Sequence, residues 1–136
     1  TRVHGDLHIA QLLRTPDGVY AIDFEGDPTW PIADRRAPTS PMRDVACLVR
    51  SLDHVARSAQ VRAGVGAPLM DAWIPFAQEA VLDAYAEVAP LDRALLRLFC
   101  LEKELGEYAY AARVLPEWLY APRLGMAWLM RDDAAL

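Results

Sequence analysis

The sequence has few cysteines and lacks the long apolar runs of membrane-spanning chains. Only Cys47 and Cys100 occur among its 136 residues, each in an apolar helical pattern and far from metal-type spacing. We therefore expect two buried, reduced thiols rather than a disulfide framework. No apolar run approaches the ~18 to 20 residues that cross a bilayer, and the N-terminus lacks a basic region followed by an apolar stretch. These absences predict a cytoplasmic protein with no membrane partner.

The chain also has fewer basic than acidic residues. The chain has 14 Lys and Arg residues against 19 Asp and Glu residues, which gives a formal net charge of −5. An acidic chain presents no electrostatic footprint for a polyanion such as DNA. We therefore expect no nucleic acid among its partners.

The chain does contain enough apolar material for one core. Hydrophobic residues make up 54% of its 136 residues, a size that predicts one compact unit rather than two domains. The sequence starts with Thr1 rather than Met, and a dense polar motif begins at His4. This start predicts that the sequence is a piece of a longer protein.

The first third of the chain predicts a β-hairpin and a loop. Two β-type segments, residues 11–15 and 19–24, flank a Pro-Asp-Gly turn. Residues 26–41 then hold four prolines and little periodicity. Such composition predicts an ordered but irregular surface loop, close to the acidic residues that follow the hairpin.

The rest of the chain has the period of helices. The first long helix is predicted to start at Met42, after Ser40 and Pro41. Its apolar face would carry Met42, Val45, Ala46, Val49, Leu52, Val55 and Ala56. Glycine and proline punctuation predicts further helical segments at residues 69–88, 91–115 and 117–131.

The polar residues around the hairpin have the order of a phosphoryl-transfer site. Protein kinases use H-R-D-x-x-x-x-N followed by D-F-G, in which a carboxylate orients the acceptor hydroxyl and oxygen ligands hold Mg²⁺. Here His4-Gly5-Asp6 is followed at the same offset by Gln11, and then by Asp23-Phe24-Glu25. Alternatively, the histidines are ordinary hydrogen-bonded residues and the carboxylates decorate a turn. Two linked motifs favour the catalytic interpretation.

These motifs resemble those of a known family. HGDLHIAQ, IDFEGDP and RRAPTSPMRDVA together resemble the aminoglycoside phosphotransferase-like kinases, and within them the actinobacterial maltokinases and glucosamine kinases. The resemblance covers essentially the whole chain. It implies an α+β fold, the protein-kinase-like C-lobe, mostly helical with a short catalytic β-hairpin. Residues 1–41 would form the catalytic and metal-binding region, and residues 42–136 the helical acceptor-binding region.

The resemblance also implies roles for residues of the hairpin region. Asp6 would be the catalytic base, and Gln11 and Asp23 the Mg²⁺ ligands. Glu25 would be a further acidic group near the metal or the sugar, and His8 is a further candidate for substrate contact.

Two more residues would support the site. The ring of His4 would anchor the backbone of the loop, and Asp44 would cap the catalytic loop from the following helix. A simpler interpretation of Asp44, compatible with this one, is a helix N-terminal Asp favoured by the macrodipole.

The nucleotide-holding half of such a kinase is missing from this sequence. Family members have an N-terminal lobe whose strands, one with a lysine, hold the ATP phosphates. The single lysine here, Lys103, lies in the third long helix. We therefore expect the missing lobe of the same enzyme as a partner, and expect this piece alone to be inactive.

Two acidic residues of that helix suggest the acceptor. Glu104 and Glu107 lie about 60° apart on one helical face, where like charges call for a nearby cation. The cation could be Lys103, Arg97 or Arg113, or a substrate ammonium group held by charge-assisted hydrogen bonds.

The resemblance favours the ammonium group. Maltokinases carry Lys-Ala-x-Tyr-Glu here, so Lys103 and Glu107 match, whereas Glu104 and Gly106 replace Ala and Tyr. An added carboxylate and a lost aromatic suit a smaller amino sugar. Trp118 would either face the sugar ring or simply pack.

Together these observations predict ATP- and Mg²⁺-dependent phosphorylation of a sugar hydroxyl, with glucosamine converted to glucosamine 6-phosphate. The alternatives are a maltokinase that forms maltose 1-phosphate, an aminoglycoside-type phosphotransferase, and a non-catalytic kinase-like interaction module. Sugar acceptor and nucleotide would be the small-molecule partners.

Overall fold

The computed structural model describes residues 1–131. The last five residues of the predicted 42–136 region lie outside this range. Within it, the element order is a short hairpin followed by helices, the mostly helical α+β arrangement predicted from the sequence.

The predicted hairpin is confirmed. Strand β1 (Leu12–Thr15) pairs antiparallel with β2 (Gly18–Ala21), in a register that joins Leu12 to Ala21 and Thr15 to Gly18. The Thr15 hydroxyl accepts a hydrogen bond from the Asp17 amide at 3.2 Å, which closes the turn locally. A 3₁₀ turn, Ile9–Gln11, leads into β1.

Residues 26–41 are more regular than predicted. They contain a short helix, α1 (Ile32–Arg36), so the prediction of an irregular loop was wrong in this part. Pro31 stands at its N-cap, and Asp34 near its N-terminus and Arg35 and Arg36 near its end complement the helix dipole.

The three long helices are confirmed with slightly shifted ends: α2 (Met42–Arg62), α3 (Ala67–Ala86) and α4 (Arg93–Val114). The predicted last segment divides into a 3₁₀ turn, Pro116–Trp118, and α5 (Tyr120–Leu129). Pro122 lies in the first turn of α5, where its missing N–H needs no partner within the helix.

Helix α2 lies at the centre of the fold and packs against α3, α4 and α5. Its buried face joins residues of those helices in the main core. The main core contains Met42, Val45, Ala46, Val49, Leu82, Leu96, Cys100 and Leu129. Val55 departs from the predicted apolar face because it is 46% exposed.

Two expectations from composition can be checked in this fold. Both cysteines are buried and free, as predicted. Within residues 1–131, no helix combines the length and apolar character needed to cross a bilayer.

Candidate active site

Helix α2 is the platform on which the motif loop, residues 4–11, rests. Asp44 in its first turn accepts hydrogen bonds from the amides of His4, at 2.7 Å, and Gly5, at 2.8 Å. Two turns further on, the Ser51 hydroxyl accepts one from the Ile9 amide at 3.0 Å. Asp44 therefore caps this loop while it also occupies a helix N-terminus.

The ring of His4 ties the loop to the segment after β2. Its Nδ1 accepts from the Asp6 amide at 3.3 Å, so Nε2 carries the proton and donates to the Ile22 carbonyl at 2.8 Å. The ring is buried and lies 4.7 Å from the Phe24 ring. His4 thus anchors backbone on both sides of the hairpin.

A close approach of two glycines brings the loop against residues 26–27. Gly5 and Gly26 have φ angles of +85° and +77°, in the left-handed region that favours glycine. A Cβ on Gly5 would lie 3.1 Å from the Gly26 Cα. This contact places Asp6 and Asp27, the residues that follow the two glycines, at the same cavity.

Lys103 of α4 joins three carboxylates there. Its ammonium lies 3.1 Å from Asp6 Oδ1, 3.3 Å from Asp27 Oδ2 and 2.9 Å from Glu107 Oε1. Burial alone would favour the neutral amine, but the neighbouring charges, Glu107 and Asp6 among them, raise the pKa of Lys103 above its usual value. Lys103 is therefore a fixed ammonium at neutral pH.

Asp27 is the acidic residue that sequence reasoning did not assign. Burial opposes its ionisation, but hydrogen bonds from Thr29 and the charge of Lys103 outweigh burial and hold the pKa of Asp27 below its usual value. The Thr29 amide and hydroxyl both donate to Oδ1, at 2.9 and 2.6 Å. The sequence signal was present, since Asp27 directly follows a glycine after Glu25.

Glu25, by contrast, does not line this cavity, so its predicted place near the metal or the sugar stays a prediction. It is exposed and lies with Arg2, Arg35 and Arg36 around a separate cavity. The left-handed turn at Gly26 explains the difference, because it redirects the chain between the two acidic residues.

We call the cavity around Lys103 the acidic cavity; its volume is about 440 Å³. Its polar lining includes Asp6, His8, Asp27, Lys103 and Glu107. On one wall the Arg43 guanidinium lies between the rings of Trp30 and Phe99, 4.6 and 4.4 Å from their centroids. The cavity therefore combines a floor rich in carboxylates with a wall of two aromatic rings around a guanidinium.

A second cavity, the adjoining cavity, shares His8, Cys47, Lys103 and Glu107 with the first and has a volume of about 370 Å³. Its other side is formed by residues that include Val55, His54 and Trp118. The Trp118 and His54 rings meet edge to face, with centroids 5.0 Å apart. Of the five residues predicted to bind substrate, this cavity brings together His8, Glu107 and Trp118.

Glu104 is placed elsewhere, and its predicted contact with a substrate ammonium group needs correction. Its carboxylate is fully buried and lines neither cavity. It accepts from Arg50 Nε at 2.7 Å and from His54 Nε2 at 3.1 Å, while Arg50 also pairs with Asp53 at 2.7 Å. The compensating cation is therefore an arginine of α2, which the periodicity of α4 alone could not reveal.

These four residues, Arg50, Asp53, His54 and Glu104, form what we call the buried charge cluster. Burial alone would raise the pKa of Glu104, but hydrogen bonding to His54 and the charge of Arg50 hold it below its usual value. Gly125 of α5 packs onto this cluster so closely that a Cβ there would meet the Glu104 carboxylate and the Arg50 guanidinium.

The predicted metal ligands form a pair of their own. Gln11 Nε2 donates to Asp23 Oδ2 at 2.9 Å, which leaves the Gln11 amide oxygen and the second carboxylate oxygen of Asp23 for another partner. Asp23 has a φ of 64° and is the only non-glycine residue in the described range with a positive φ. A non-glycine residue held in this region is a common feature of functional sites.

Known proteins resemble this chain over almost its whole length. No family model matches the chain. It is 43% identical, over 140 residues, to a glucosamine kinase of Streptacidiphilus jiangxiensis, a match that covers 96% of this chain and 32% of that protein. A glucosamine kinase of Mycolicibacterium smegmatis is 33% identical over 139 residues, which cover 97% of this chain and 35% of that protein. The chain is similar to glucosamine kinases over almost its whole length.

Solved glucosamine kinase structures share its fold. One crystal form superposes with a TM-score of 0.88 at 36% identity, covering 96% of this chain and 34% of that one. A glucosamine kinase in complex with glucosamine, ADP and inorganic phosphate gives a TM-score of 0.87 at 36% identity. The match covers 96% of this chain and 33% of that one. The resemblance to glucosamine kinases inferred from the motifs is confirmed. The chain spans about a third of the length of the glucosamine kinases it matches.

Proposed function

We propose that the protein carrying this chain is a sugar kinase that transfers the γ-phosphoryl group of ATP to the 6-hydroxyl of glucosamine. In this proposal the chain supplies the kinase-like C-lobe, with the catalytic and metal-binding residues in 1–41 and the acceptor-binding helices after them. The homology to glucosamine kinases and the charge of the acidic cavity support it.

The observation that carries the proposal is the excess of carboxylates in that cavity. Asp6, Asp27 and Glu107 surround one ammonium, that of Lys103, which leaves a net negative charge beside the shared wall of both cavities. A protonated amino group on the acceptor would meet charge-assisted hydrogen bonds there. A neutral sugar such as maltose offers no charge to balance the carboxylates.

Asp6 would serve the chemistry of transfer. Its carboxylate would orient the acceptor hydroxyl and accept its proton as the hydroxyl oxygen bonds to the γ-phosphorus. The bond from that phosphorus to the bridging oxygen breaks, and ADP leaves with the electron pair. Most of the rate enhancement would come from positioning and electrostatic stabilisation.

Gln11 and Asp23 would hold Mg²⁺. Their paired side chains offer an amide oxygen and carboxylate oxygens, the hard ligands that this ion prefers. When bound, Mg²⁺ neutralises charge on the nucleotide phosphates. Because Lys103 is committed to three carboxylates, the lysine that contacts the phosphates would come from an N-terminal lobe outside this sequence. An ATP-dependent sugar kinase of this kind would act in the cytoplasm.

The adjoining cavity would take the sugar ring. His8, Glu107 and Trp118 share this space, so the flat face of Trp118 could pack against the ring while Glu107 binds the amino group. The adjoining cavity shares lining residues with the acidic cavity, which Asp6 lines, so the reacting hydroxyl would lie near that carboxylate.

An acceptor panel tests the proposal. The complete polypeptide that carries this sequence would be assayed for ADP release with glucosamine, glucose, maltose and an aminoglycoside. We expect the highest kcat/KM with glucosamine. Preferred phosphorylation of maltose or of the aminoglycoside would contradict the acceptor assignment, and failure of ATP and Mg²⁺ to raise Tm would favour a non-catalytic module.

A substitution sharpens the test. Glu107→Gln should lower kcat/KM for glucosamine by about 10-fold or more, the worth of a charge-assisted hydrogen bond, with less effect on glucose. Glu87→Gln makes the same change of charge at an exposed site after α3 and serves as the control. Equal losses on both sugars in the Glu107 variant would contradict the ammonium contact.

A further inference from the structure

The two oxygens of the Asp6 carboxylate have different surroundings. Oδ1 accepts from the Lys103 ammonium at 3.1 Å and from the Cys47 thiol at 3.6 Å. Oδ2 accepts no hydrogen bond from any group in residues 1–131, and the His8 Nε2 atom lies 3.8 Å from it. Asp6 Oδ1 is therefore held by two donors, and Asp6 Oδ2 is available to accept a hydrogen bond.

Lys103 is itself held in place. Glu107, one turn along α4, lies 2.9 Å from its ammonium, and Asp27 lies 3.3 Å away on the opposite segment. Asp27 is fixed in turn by the amide and hydroxyl of Thr29. The ammonium is thus anchored from a helix and from a loop, which restricts where Asp6 Oδ1 can lie.

The second donor comes from a different element. Cys47 lies on α2, and burial raises the pKa of its thiol to about 12, so it remains a protonated S–H donor at neutral pH. Helices α2 and α4 therefore both contribute a donor to the same oxygen of Asp6.

We propose that Lys103 is a positioning residue for phosphoryl transfer: it ties down Asp6 Oδ1 and so presents Oδ2 to the acceptor hydroxyl. This inference rests on the proposed function, because it needs a reaction in which Asp6 receives the hydroxyl proton. A proton acceptor must lie within hydrogen-bonding reach of its donor, and displacement by about 1 Å can cost about 10²-fold in rate.

A simpler role for Lys103 would be neutralisation of three carboxylates. Neutralisation and positioning predict different activities for the Lys103→Arg variant. Arginine keeps the charge, but its planar guanidinium cannot reproduce the single ammonium that meets all three carboxylates. Neutralisation alone predicts full kcat for Lys103→Arg, whereas positioning predicts a reduced kcat with Tm retained.

The experiment compares three variants of the complete polypeptide: Lys103→Met, Lys103→Arg, and the control Arg113→Met. Arg113 is an exposed residue of the same helix, so its replacement changes net charge equally without touching the cavity. Each variant is assayed for kcat and for KM of ATP and glucosamine, and its Tm is measured. The Arg variant keeps the test decisive if the Met variant does not fold.

We expect kcat to fall by about 10²-fold in Lys103→Met, to fall by a smaller factor in Lys103→Arg, and to stay unchanged in Arg113→Met, with KM for ATP little affected. Wild-type kcat in Lys103→Arg would overturn the positioning role while leaving the proposed function intact. If the wild-type protein phosphorylates none of the acceptors, the proposed function and this inference both fail.

Discussion

Replacement of Glu104 by Gln should destabilise the protein without altering its choice of sugar. The carboxylate has no solvent exposure and is a hydrogen-bonding partner of both Arg50 and His54. Among residues 1–131, Glu104→Gln would leave the fully buried Arg50 with Asp53 as its one carboxylate partner. Removal of one member of a buried ion pair costs about 3 to 5 kcal/mol, a large share of the ~5 to 15 kcal/mol by which proteins are typically stable.

The assay is urea-induced unfolding of the complete polypeptide, combined with kcat/KM for glucosamine and for glucose. A matched control is Glu79→Gln, which breaks an exposed pair with Arg93 and should cost about 1 kcal/mol or less. Any loss of activity in Glu104→Gln should be the same for both sugars. Unchanged unfolding free energy, or a loss confined to glucosamine, would refute the reasoning and restore Glu104 as an acceptor contact.

Three further predictions concern Glu104, Gly125 and Gly5. Because the pKa of Glu104 is lowered, its ionised carboxylate stabilises the fold above the ordinary pKa of 4.5, and this stabilisation is lost as the pH falls below that value. The Tm of Glu104→Gln should therefore drop less steeply in acid than the Tm of the wild type. Equal slopes of Tm against pH would contradict this. Gly125→Ala would overpack the buried charge cluster and lower the unfolding free energy by about 1 to 3 kcal/mol or more. The control is Gly106→Ala, which has open space at its Cβ and should not lower Tm. Gly5→Ala strains a left-handed residue against Gly26 and should lower kcat, and an unchanged kcat would contradict the close approach as a requirement of the site.

The local elements were accessible from the sequence because their causes are local. A Pro-Asp-Gly turn between β-type residues specified the hairpin, and a 3.6-residue apolar period specified α2, which begins at Met42 as predicted. The offset between Asp6 and Gln11 likewise belongs to one short loop. Such features need no knowledge of other elements.

The contacts between elements were not accessible in this way. The periodicity of α4 placed Glu104 beside Glu107, but the two side chains serve different neighbours, Arg50 on α2 and Lys103 within the cavity. Helix packing decides which neighbour each one meets, and a single-helix projection contains no such information.

The place of Asp27 at the acidic cavity was not accessible from the sequence for a different reason. Residues 23–27 contain three carboxylates, and the left-handed backbone at Asp23 and Gly26 determines which of them faces the Lys103 ammonium. The resemblance pointed to Glu25 as the further acidic group, whereas the turn brings Asp27 to the cavity.

The most direct test of the central claim is the turnover of Asp6→Asn in the complete polypeptide. The substitution keeps the size of the side chain and removes the group that would receive the hydroxyl proton. We expect kcat for glucosamine phosphorylation to fall by about 10²- to 10⁴-fold, with little change in Tm. Turnover like that of the wild type would contradict the assignment of Asp6 as the catalytic base.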